Sequence, residues 1–176
     1  MSINEYALQV VEFVKTHESW AAPVVFALAF GESFAFLSLI LPATVILFGV
    51  GGLMGAGNIA FVPVCVAAAI GSILGYGISY YIGLYFKDQI HNLWPFTRHP
   101  EMIPRGKAFF DKWGAIGVGL GHFFGPVRAV IPVVAGMYEL NAVQFWAANI
   151  VSSCIWAFGI LAPGALGLKW LGFMAG

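Results

Sequence analysis

Two charged side chains lie deep inside apolar stretches of this chain, and their types and positions make them the strongest candidates for chemistry. Glu32 is the only formally charged residue between positions 19 and 86, and Arg128 shares positions 113–168 with Glu139 alone. An arginine presents five hydrogen-bond donors in a planar fork and keeps its charge at any relevant pH, which suits a phosphate group. We therefore interpret Arg128 as a candidate binding residue for a phosphate-bearing anion.

Glu32 has interpretations that the sequence leaves open. A charge at membrane depth costs about 2.5–3.5 kcal/mol on insertion scales, so charges there commonly pair with one another. Glu32 and Arg128 could form a purely structural pair. Alternatively, Glu32 could hold Arg128 until an anionic headgroup arrives, or could carry a proton. Glu139 follows the apolar segment and is predicted to lie at the aqueous edge, outside the site.

The composition places both residues in a membrane protein. Of the 176 residues, 60% are hydrophobic and 9% are charged, and the mean hydropathy is +0.87, whereas soluble domains carry about 25% charged residues. The net charge is zero with no basic run, so nucleic acid has no electrostatic support as a partner. The two cysteines make no metal site or disulfide framework, and we predict no metal and no cofactor. The N-terminus does not resemble a cleavable signal peptide.

The chain divides into an N-terminal helix and one membrane domain. Residues 1–18 predict an amphipathic helix, either at the membrane surface or packed on the rest of the protein, and residues 19–176 predict the domain. Residues 87–112 hold five of the eight basic residues, so we expect this loop to be cytoplasmic. The other expected segments are a first re-entrant hairpin at about 32–57, an apolar helix at 59–86, a second hairpin at about 116–137, a helix at 141–159, and a last segment broken at Pro163 and Gly164.

Prolines and an internal repeat predict the two hairpins. Pro126 and Pro132 lie on either side of Arg128, and each removes a backbone donor and clashes with the preceding turn. Irregular backbone survives at membrane depth only where it is buried in protein or lines a wet cavity. A shift of 90 residues aligns two sets of residues: Gly31, Glu32, Phe34 and Pro42 with Gly121, His122, Phe124 and Pro132. We therefore expect an all-α membrane fold resembling inverted-repeat transporters. Its two facing hairpins would bring together Glu32, Thr44, His122 and Arg128.

Several motifs together resemble the bacterial DedA family of inner-membrane proteins. They are FFGPVRAVIPVVAGM at 123–137, Gly31-Glu32, the run Leu41-Pro42-Ala43-Thr44, and the glycine-rich stretch 71–83 with its tyrosines. The resemblance implies two re-entrant hairpins among transmembrane helices. It also implies movement of phospholipid or undecaprenyl phosphate across the membrane, driven in some members by the proton motive force. Glu32 matches an acidic family position. Three residues stand where members often carry an acid, an aspartate and an arginine, namely Thr44, Tyr76 and His122.

These arguments give a set of site residues with assigned roles. We assign substrate binding to Arg128, His122 and Thr44, and proton coupling or ion pairing to Glu32. His122 is either a conditional cation or a hydrogen-bonded structural residue. Supporting positions are Pro42, Tyr76, Pro126 and Pro132.

The leading functional hypothesis is a lipid transporter or flippase rather than an enzyme. Its expected partners are the bilayer and an anionic lipid headgroup, its expected location is the bacterial inner membrane with several spans, and assembly into a homo-oligomer is left open. One alternative is a non-transporting membrane-organising or assembly protein. An intramembrane lipid hydrolase is less well supported, because the sequence contains no Gly-x-Ser-x-Gly and no His-Glu-x-x-His motif.

Overall fold

The computed structural model describes residues 3–34, 43–56, 59–90, 97–124, 128 and 130–175. The described residues are helical or irregular, and they contain no strand. A 3₁₀ turn at Glu18–Trp20 precedes the second helix. The α-helices are α1 (Ile3–Thr16), α2 (Ala21–Ser33), α3 (Ala43–Gly55), α4 (Phe61–Tyr85), α5 (Lys87–Ile90), α6 (Met102–Trp113), α7 (Ile116–Gly121), α8 (Ile131–Met137) and α9 (Ala142–Ala175).

Two of the described helices are long and apolar enough to cross a membrane, judged by length and composition. They are α4 and the part of α9 that runs from Ala142 to Leu166, each with 25 residues. At 1.5 Å per residue, 25 residues extend about 37 Å, which exceeds a hydrocarbon core of about 30 Å. The apolar run at 59–86 therefore forms the single long helix that the sequence predicts.

The break predicted at Pro163 is wrong, because α9 continues through this proline to Ala175. A proline inside a helix crowds the carbonyl four residues earlier, which here belongs to Gly159. A Cβ atom at Gly159 would meet nothing within 4 Å, so this turn has room to adjust. Gly164 packs directly on the backbone of Gly51 and Gly52 in α3. Contact with α3 on the far side of the proline thus supports the continuous helix.

Glycines let the central helix α4 approach its neighbours α2 and α8 at backbone distance. A Cβ atom at Gly75 would lie 2.7 Å from the carbonyl oxygen of Phe30 in α2. A Cβ atom at Gly136 in α8 would overlap the carbonyl oxygen of Tyr80. Small residues allow close association of helices in membranes, and the glycines of α4 and α8 serve this packing.

The N-terminal helix α1 packs on α3. Val14 is fully buried, and Val11 lies against Gly49, where an added Cβ atom would be 3.0 Å from a Val11 methyl group. Leu8 and Phe13 on the same helix are exposed. The structure therefore shows contact with the rest of the protein, and a position at the membrane surface stays a prediction.

The basic loop contains the short amphipathic helix α6. α6 begins at Met102 and carries Pro104 in its first turn. Proline is tolerated throughout the first turn, because backbone donors there have no helical acceptor. Gly114 ends the helix with a φ of +50°, a conformation that glycine adopts without strain.

The elements that position the site meet around the middle of α4. Val64 and Ala68 belong to one apolar cluster, which also contains residues of α1, α2, α3 and α9. Tyr76 and Tyr80 belong to a second cluster with residues of α6, α7, α8 and α9. Ser72 lies on α4 between these two stretches and is fully buried. Residues 35–42 and 125–127, which belong to the predicted hairpins at about 32–57 and 116–137, lie outside the described residues.

Candidate functional site

A buried ion pair joins the end of α2 to the segment before α8. Nη1 of Arg128 donates to Oε1 of Glu32 across 3.2 Å, and both residues are at least 93% buried. The backbone N–H of Arg128 donates to the carbonyl of Phe124 at 2.9 Å. A helix carries partial negative charge at its C-terminus, so a cation is favoured beside the last turn of α2. The structure therefore brings together the two charged residues singled out by sequence.

Arg128 makes two further contacts that fix the plane of its guanidinium. Nη2 donates to the Ser33 hydroxyl at 2.7 Å, so the fork spans two successive residues of α2. The indole ring of Trp156 on α9 lies beneath it, with the ring centroid 4.1 Å from Cζ. Arginine binds to aromatic faces because the face of the ring carries negative electrostatic potential. The cation is thus held by a carboxylate, a hydroxyl and a ring.

Thr44, in the first turn of α3, joins the same carboxylate. Its hydroxyl donates to Oε1 of Glu32, the oxygen that also accepts from Arg128. An oxygen that accepts two hydrogen bonds is satisfied as a carboxylate, since ionised glutamate is an acceptor only. α3 therefore contributes to the site through a neutral donor.

A chain of hydroxyl groups leads from the ion pair to His122. The Ser33 hydroxyl, which accepts from Arg128, donates to the Ser72 hydroxyl at 3.0 Å, and Ser153 donates to the same Ser72 oxygen at 3.3 Å. The Ser72 oxygen lies 2.8 Å from Nε2 of His122. The single Ser153 proton has a second acceptor in Asn149 Oδ1 at 3.2 Å, but the bond from Ser33 already leaves the Ser72 proton free to go to Nε2.

This arrangement determines the tautomer of His122. With Nε2 as the acceptor, Nδ1 carries the proton and faces the Ser152 hydroxyl at 3.3 Å. The Ser152 hydroxyl in turn donates to the Asn149 carbonyl at 3.2 Å. The imidazole is therefore neutral with both nitrogens hydrogen-bonded, and it is 99% buried. Its position beside the ion pair is clear, whereas a role in substrate binding stays a prediction.

Tyr76 lies against His122 and is completely buried, with the two ring centroids 4.2 Å apart. Its hydroxyl group has no hydrogen-bond partner among the described residues. The same holds for Oε2 of Glu32 and for Nε of Arg128. Most buried polar atoms in proteins are hydrogen-bonded, so three exceptions in one place call for an explanation.

The predicted proline positions fall into two groups. Pro132 is buried in the first turn of α8, where proline favours helix initiation rather than breakage. Pro42 and Pro126 lie outside the described residues. α3 begins directly after Pro42, and Pro126 lies between α7 and α8.

Sequence reasoning missed three members of the site, namely Ser33, Ser72 and Trp156. Two positional signals could have found them. Ser72 precedes Tyr76 by one helical turn, so the two side chains lie on the same face of their helix. Trp156 follows Ser153 and Ser152 by three and four residues, which places its ring on the same helix face as these serines. Asn149, Ser152 and Ser153 of α9 all make interhelical hydrogen-bond contacts, and Asn149 donates to the Ile73 carbonyl of α4 at 3.0 Å.

Glu139 lies outside the site, as expected. Its carboxylate is exposed and forms an ion pair with the exposed Lys87. The hydrogen bond from Lys87 and its positive charge hold the pKa of Glu139 below the usual range. No three histidine, cysteine or carboxylate side chains in the described part of the chain lie close enough together to hold a metal ion.

Comparison of the sequence with known proteins shows that the chain is similar to membrane proteins. The family model of the VTT domain matches residues 41–166. Inner membrane protein YabI of Escherichia coli is 32% identical over 155 residues, covering 88% of this chain and 61% of YabI. An uncharacterized membrane protein of Buchnera aphidicola is 35% identical over 141 residues, covering 80% of this chain and 55% of the relative.

A more distant relative carries a functional name. Undecaprenyl phosphate transporter A of Staphylococcus aureus is 26% identical over 132 residues, covering 71% of this chain and 64% of the transporter. The chain thus spans between half and two thirds of the length of these relatives. No solved structure matches the chain significantly.

Proposed function

Because this chain belongs to the DedA family of membrane proteins, whose VTT domain it matches over residues 41–166, we propose that it moves an anionic lipid across the bacterial inner membrane. The headgroup would pass through the protein beside Arg128 while the hydrocarbon tail stays in the bilayer. This is the work of a transporter or flippase and requires no covalent chemistry.

The observation that carries the proposal is the buried pair of Arg128 and Glu32. Ionisable residues inside membrane proteins are costly and usually mark the pathway of a substrate or ion. A guanidinium can bind a phosphate with two parallel hydrogen bonds, which a carboxylate partner imitates. Glu32 takes only Nη1 of the guanidinium and Ser33 takes Nη2, so a lipid phosphate would bind at the Nε–H edge while the pair stays formed.

Charge balance supports coupling to protons. With Arg128 and Glu32 both ionised, the pair is neutral, and an arriving phosphate adds a negative charge in an apolar setting. A proton that travels with the headgroup, shared with the Glu32 carboxylate, restores neutrality. Buried uncompensated charge is strongly unfavourable, so proton movement would accompany lipid movement.

Helix lengths support the two re-entrant hairpins within a multi-pass fold. α3 has 13 residues and extends about 20 Å, which is too short for a hydrocarbon core of about 30 Å. α7 and α8 have only six and seven residues. Helices this short suit segments that enter the membrane and return on the same side.

A groove between α7 and α9 offers a path for the lipid tail. Its volume is about 870 Å³, and its walls are mainly apolar, with Trp113 at the end of α6 and Ile155 on α9. Ser152, which hydrogen-bonds to His122, lies in the same wall. A tail in this groove would remain in contact with the bilayer while its headgroup lies close to the polar site.

The chemistry of Arg128 admits any lipid with an accessible phosphate, including phospholipids. One relative is named for undecaprenyl phosphate, which is an anionic lipid with a terminal phosphate. We therefore propose undecaprenyl phosphate or an anionic phospholipid as the substrate.

Reconstitution into vesicles tests the proposal. Purified protein should accelerate the movement of a tail-labelled anionic phospholipid between leaflets. Arg128→Ala should abolish the acceleration, whereas Arg98→Ala, which removes an exposed cation of the basic loop, should preserve it. Equal rates for Arg128→Ala and the unchanged protein would instead favour a membrane-organising role, in which the buried pair only holds helices together.

A further inference from the structure

Three buried polar atoms around Arg128 have no hydrogen-bond partner in the described part of the chain. They are the hydroxyl oxygen of Tyr76, Nε of Arg128 and Oε2 of Glu32. Two of them are donors, since the tyrosine carries an O–H and the guanidinium nitrogen an N–H. The third is an acceptor when Glu32 is ionised, the form that a directly hydrogen-bonded arginine favours.

The three atoms belong to one location. Arg128 and Glu32 are joined by a direct hydrogen bond, and Tyr76 reaches Arg128 through two intervening rings. Tyr76 packs on His122, which in turn lies beside Trp156, the ring beneath the Arg128 guanidinium. α2, α4 and the segment before α8 thus each contribute one unpartnered atom.

The neighbouring polar groups are already engaged with each other. Both nitrogens of His122 are hydrogen-bonded to serines, and the Ser33 hydroxyl accepts from Arg128 and donates to Ser72. These groups hold the arginine and the histidine in place and leave little capacity for another partner. The three unpartnered atoms are therefore the part of the site that can bind a ligand without first breaking a bond.

We propose that Tyr76 O–H, Arg128 Nε–H and Glu32 Oε2 form a headgroup subsite with two donors and one acceptor. The inference rests on the proposed lipid transport and assigns Tyr76 direct contact with the substrate. A complementary headgroup presents anionic oxygens to Tyr76 and Arg128, and an O–H donor to Glu32. The donor can be a protonated phosphate oxygen or a hydroxyl of an alcohol headgroup, and the subsite selects against a phosphodiester that has neither.

Lipids that differ only in this donor test the selection. Phosphatidylglycerol and phosphatidylmethanol are both singly charged diesters, but only phosphatidylglycerol carries free hydroxyl groups, and phosphatidic acid supplies its donor from the phosphate itself. Tail-labelled forms of the three lipids are placed in vesicles of phosphatidylcholine, and their rates of movement between leaflets are compared. Phosphatidylglycerol and phosphatidic acid should move fast, and phosphatidylmethanol should move slowly. Phosphatidylmethanol should move about tenfold more slowly than phosphatidylglycerol, the effect of losing one hydrogen bond to a charged group. Equal rates for these two lipids would overturn the donor requirement, and a fast rate for phosphatidic acid alone would restrict the donor to the phosphate.

Tyr76→Phe tests the contact from the protein side. The change removes only the hydroxyl and keeps the ring against His122, so translocation of phosphatidylglycerol should fall about tenfold. Because the lost hydroxyl has no partner in the described part of the chain, the thermal midpoint of the protein should stay the same or rise. Tyr85→Phe makes the same chemical change at an exposed position of α4 and should alter neither property.

The pattern of outcomes separates this inference from the proposed function. Loss of transport in Arg128→Ala with normal transport in Tyr76→Phe would overturn the Tyr76 contact and leave the lipid carrier standing. Normal transport in both variants would overturn both proposals. A lower thermal midpoint in Tyr76→Phe would show a structural partner for the hydroxyl and would also reject the subsite.

Discussion

The guanidinium of Arg128 lies over the indole ring of Trp156, 4.1 Å from its centroid, so α9 supports a cation that α2 holds from another direction. The two residues are distant in sequence, yet both are at least 94% buried. Because the ring lies against the face of the guanidinium, the N–H groups at the guanidinium edge stay free to form hydrogen bonds in the guanidinium plane. The same contact that stabilises the buried charge therefore also orients it.

Replacing this ring should weaken the site in a graded way. A desolvated cation–π contact contributes about 0.5–2 kcal/mol, so Trp156→Leu should lower the thermal midpoint and Trp156→Phe should lower it less. Phe158→Leu changes an exposed ring on the same helix and should have a smaller effect. Thermal unfolding in detergent measures all three, and an equal loss in the two Trp156 variants would show that only the volume of the side chain matters.

Glu32 and Arg128 should be strongly coupled in stability. Removal of one partner leaves a buried, unpaired charge, at a cost of about 3–5 kcal/mol, and removal of both eliminates that charge. Glu32→Leu and Arg128→Met should each lower the free energy of unfolding, and the double variant should recover much of the loss. A double-mutant cycle of denaturant unfolding measures the coupling, and additive losses would contradict a direct buried pair.

His122 should be neutral with its proton on Nδ1. The chain of hydroxyl groups delivers the Ser72 proton to Nε2, which excludes a proton at that nitrogen. Nitrogen-15 NMR of labelled histidine distinguishes the tautomers, and Ser72→Ala should remove the preference. A spectrum of the doubly protonated ring in the folded protein would contradict the assignment.

Close backbone packing predicts opposite effects for two glycines. Gly136→Ala would place a methyl group onto the Tyr80 carbonyl, and overpacking of this kind typically costs about 1–3 kcal/mol. Gly159→Ala adds the same methyl group where nothing lies within 4 Å, and should be neutral or stabilise α9 by up to about 1 kcal/mol. Denaturant unfolding compares them, and similar losses in both variants would argue against the contact of α4 with α8.

The exposed pair of Lys87 and Glu139 should produce a small dependence of stability on acidic pH. Lys87 holds the pKa of Glu139 below its ordinary value of 4.5. The stabilisation is therefore complete above that value and is lost as the pH falls through the lowered pKa. In Lys87→Met, the pKa of Glu139 should return toward the ordinary value, which an NMR titration can follow. An unchanged pKa would show that the pair does not form in solution.

The sequence predicted the main helices and the pairing of the buried charges, because both follow from the free-energy cost of placing polar groups in an apolar environment. A long apolar run such as 59–86 has few stable forms other than a helix, and a lone arginine among apolar residues needs a counter-ion. Glu139 was predicted to lie at the aqueous edge, so Glu32 remained the carboxylate of the apolar blocks that could pair with Arg128, and the pairing followed from the cost of buried charge.

Other features depend on how helices rotate and dock, which the sequence alone does not specify. α4 is apolar around its circumference, so periodicity could not show that Ser72 and Tyr76 face the site. Trp156 resembled an ordinary lipid-facing or core ring until its contact with Arg128 was visible. Pro163 was predicted to end a helix, because its local effect was considered without the packing of Gly164 on α3.

The central claim is that the guanidinium of Arg128 binds the phosphate of a transported lipid. Solid-state NMR of the protein in bilayers of phosphatidylglycerol can detect dipolar contact between lipid phosphorus-31 and nitrogen-15 in the arginine side chains. We predict a contact to the buried Arg128 that disappears in Arg128→Lys. Phosphorus contacts confined to the exposed Arg98 and Arg105, with none to Arg128, would contradict the claim.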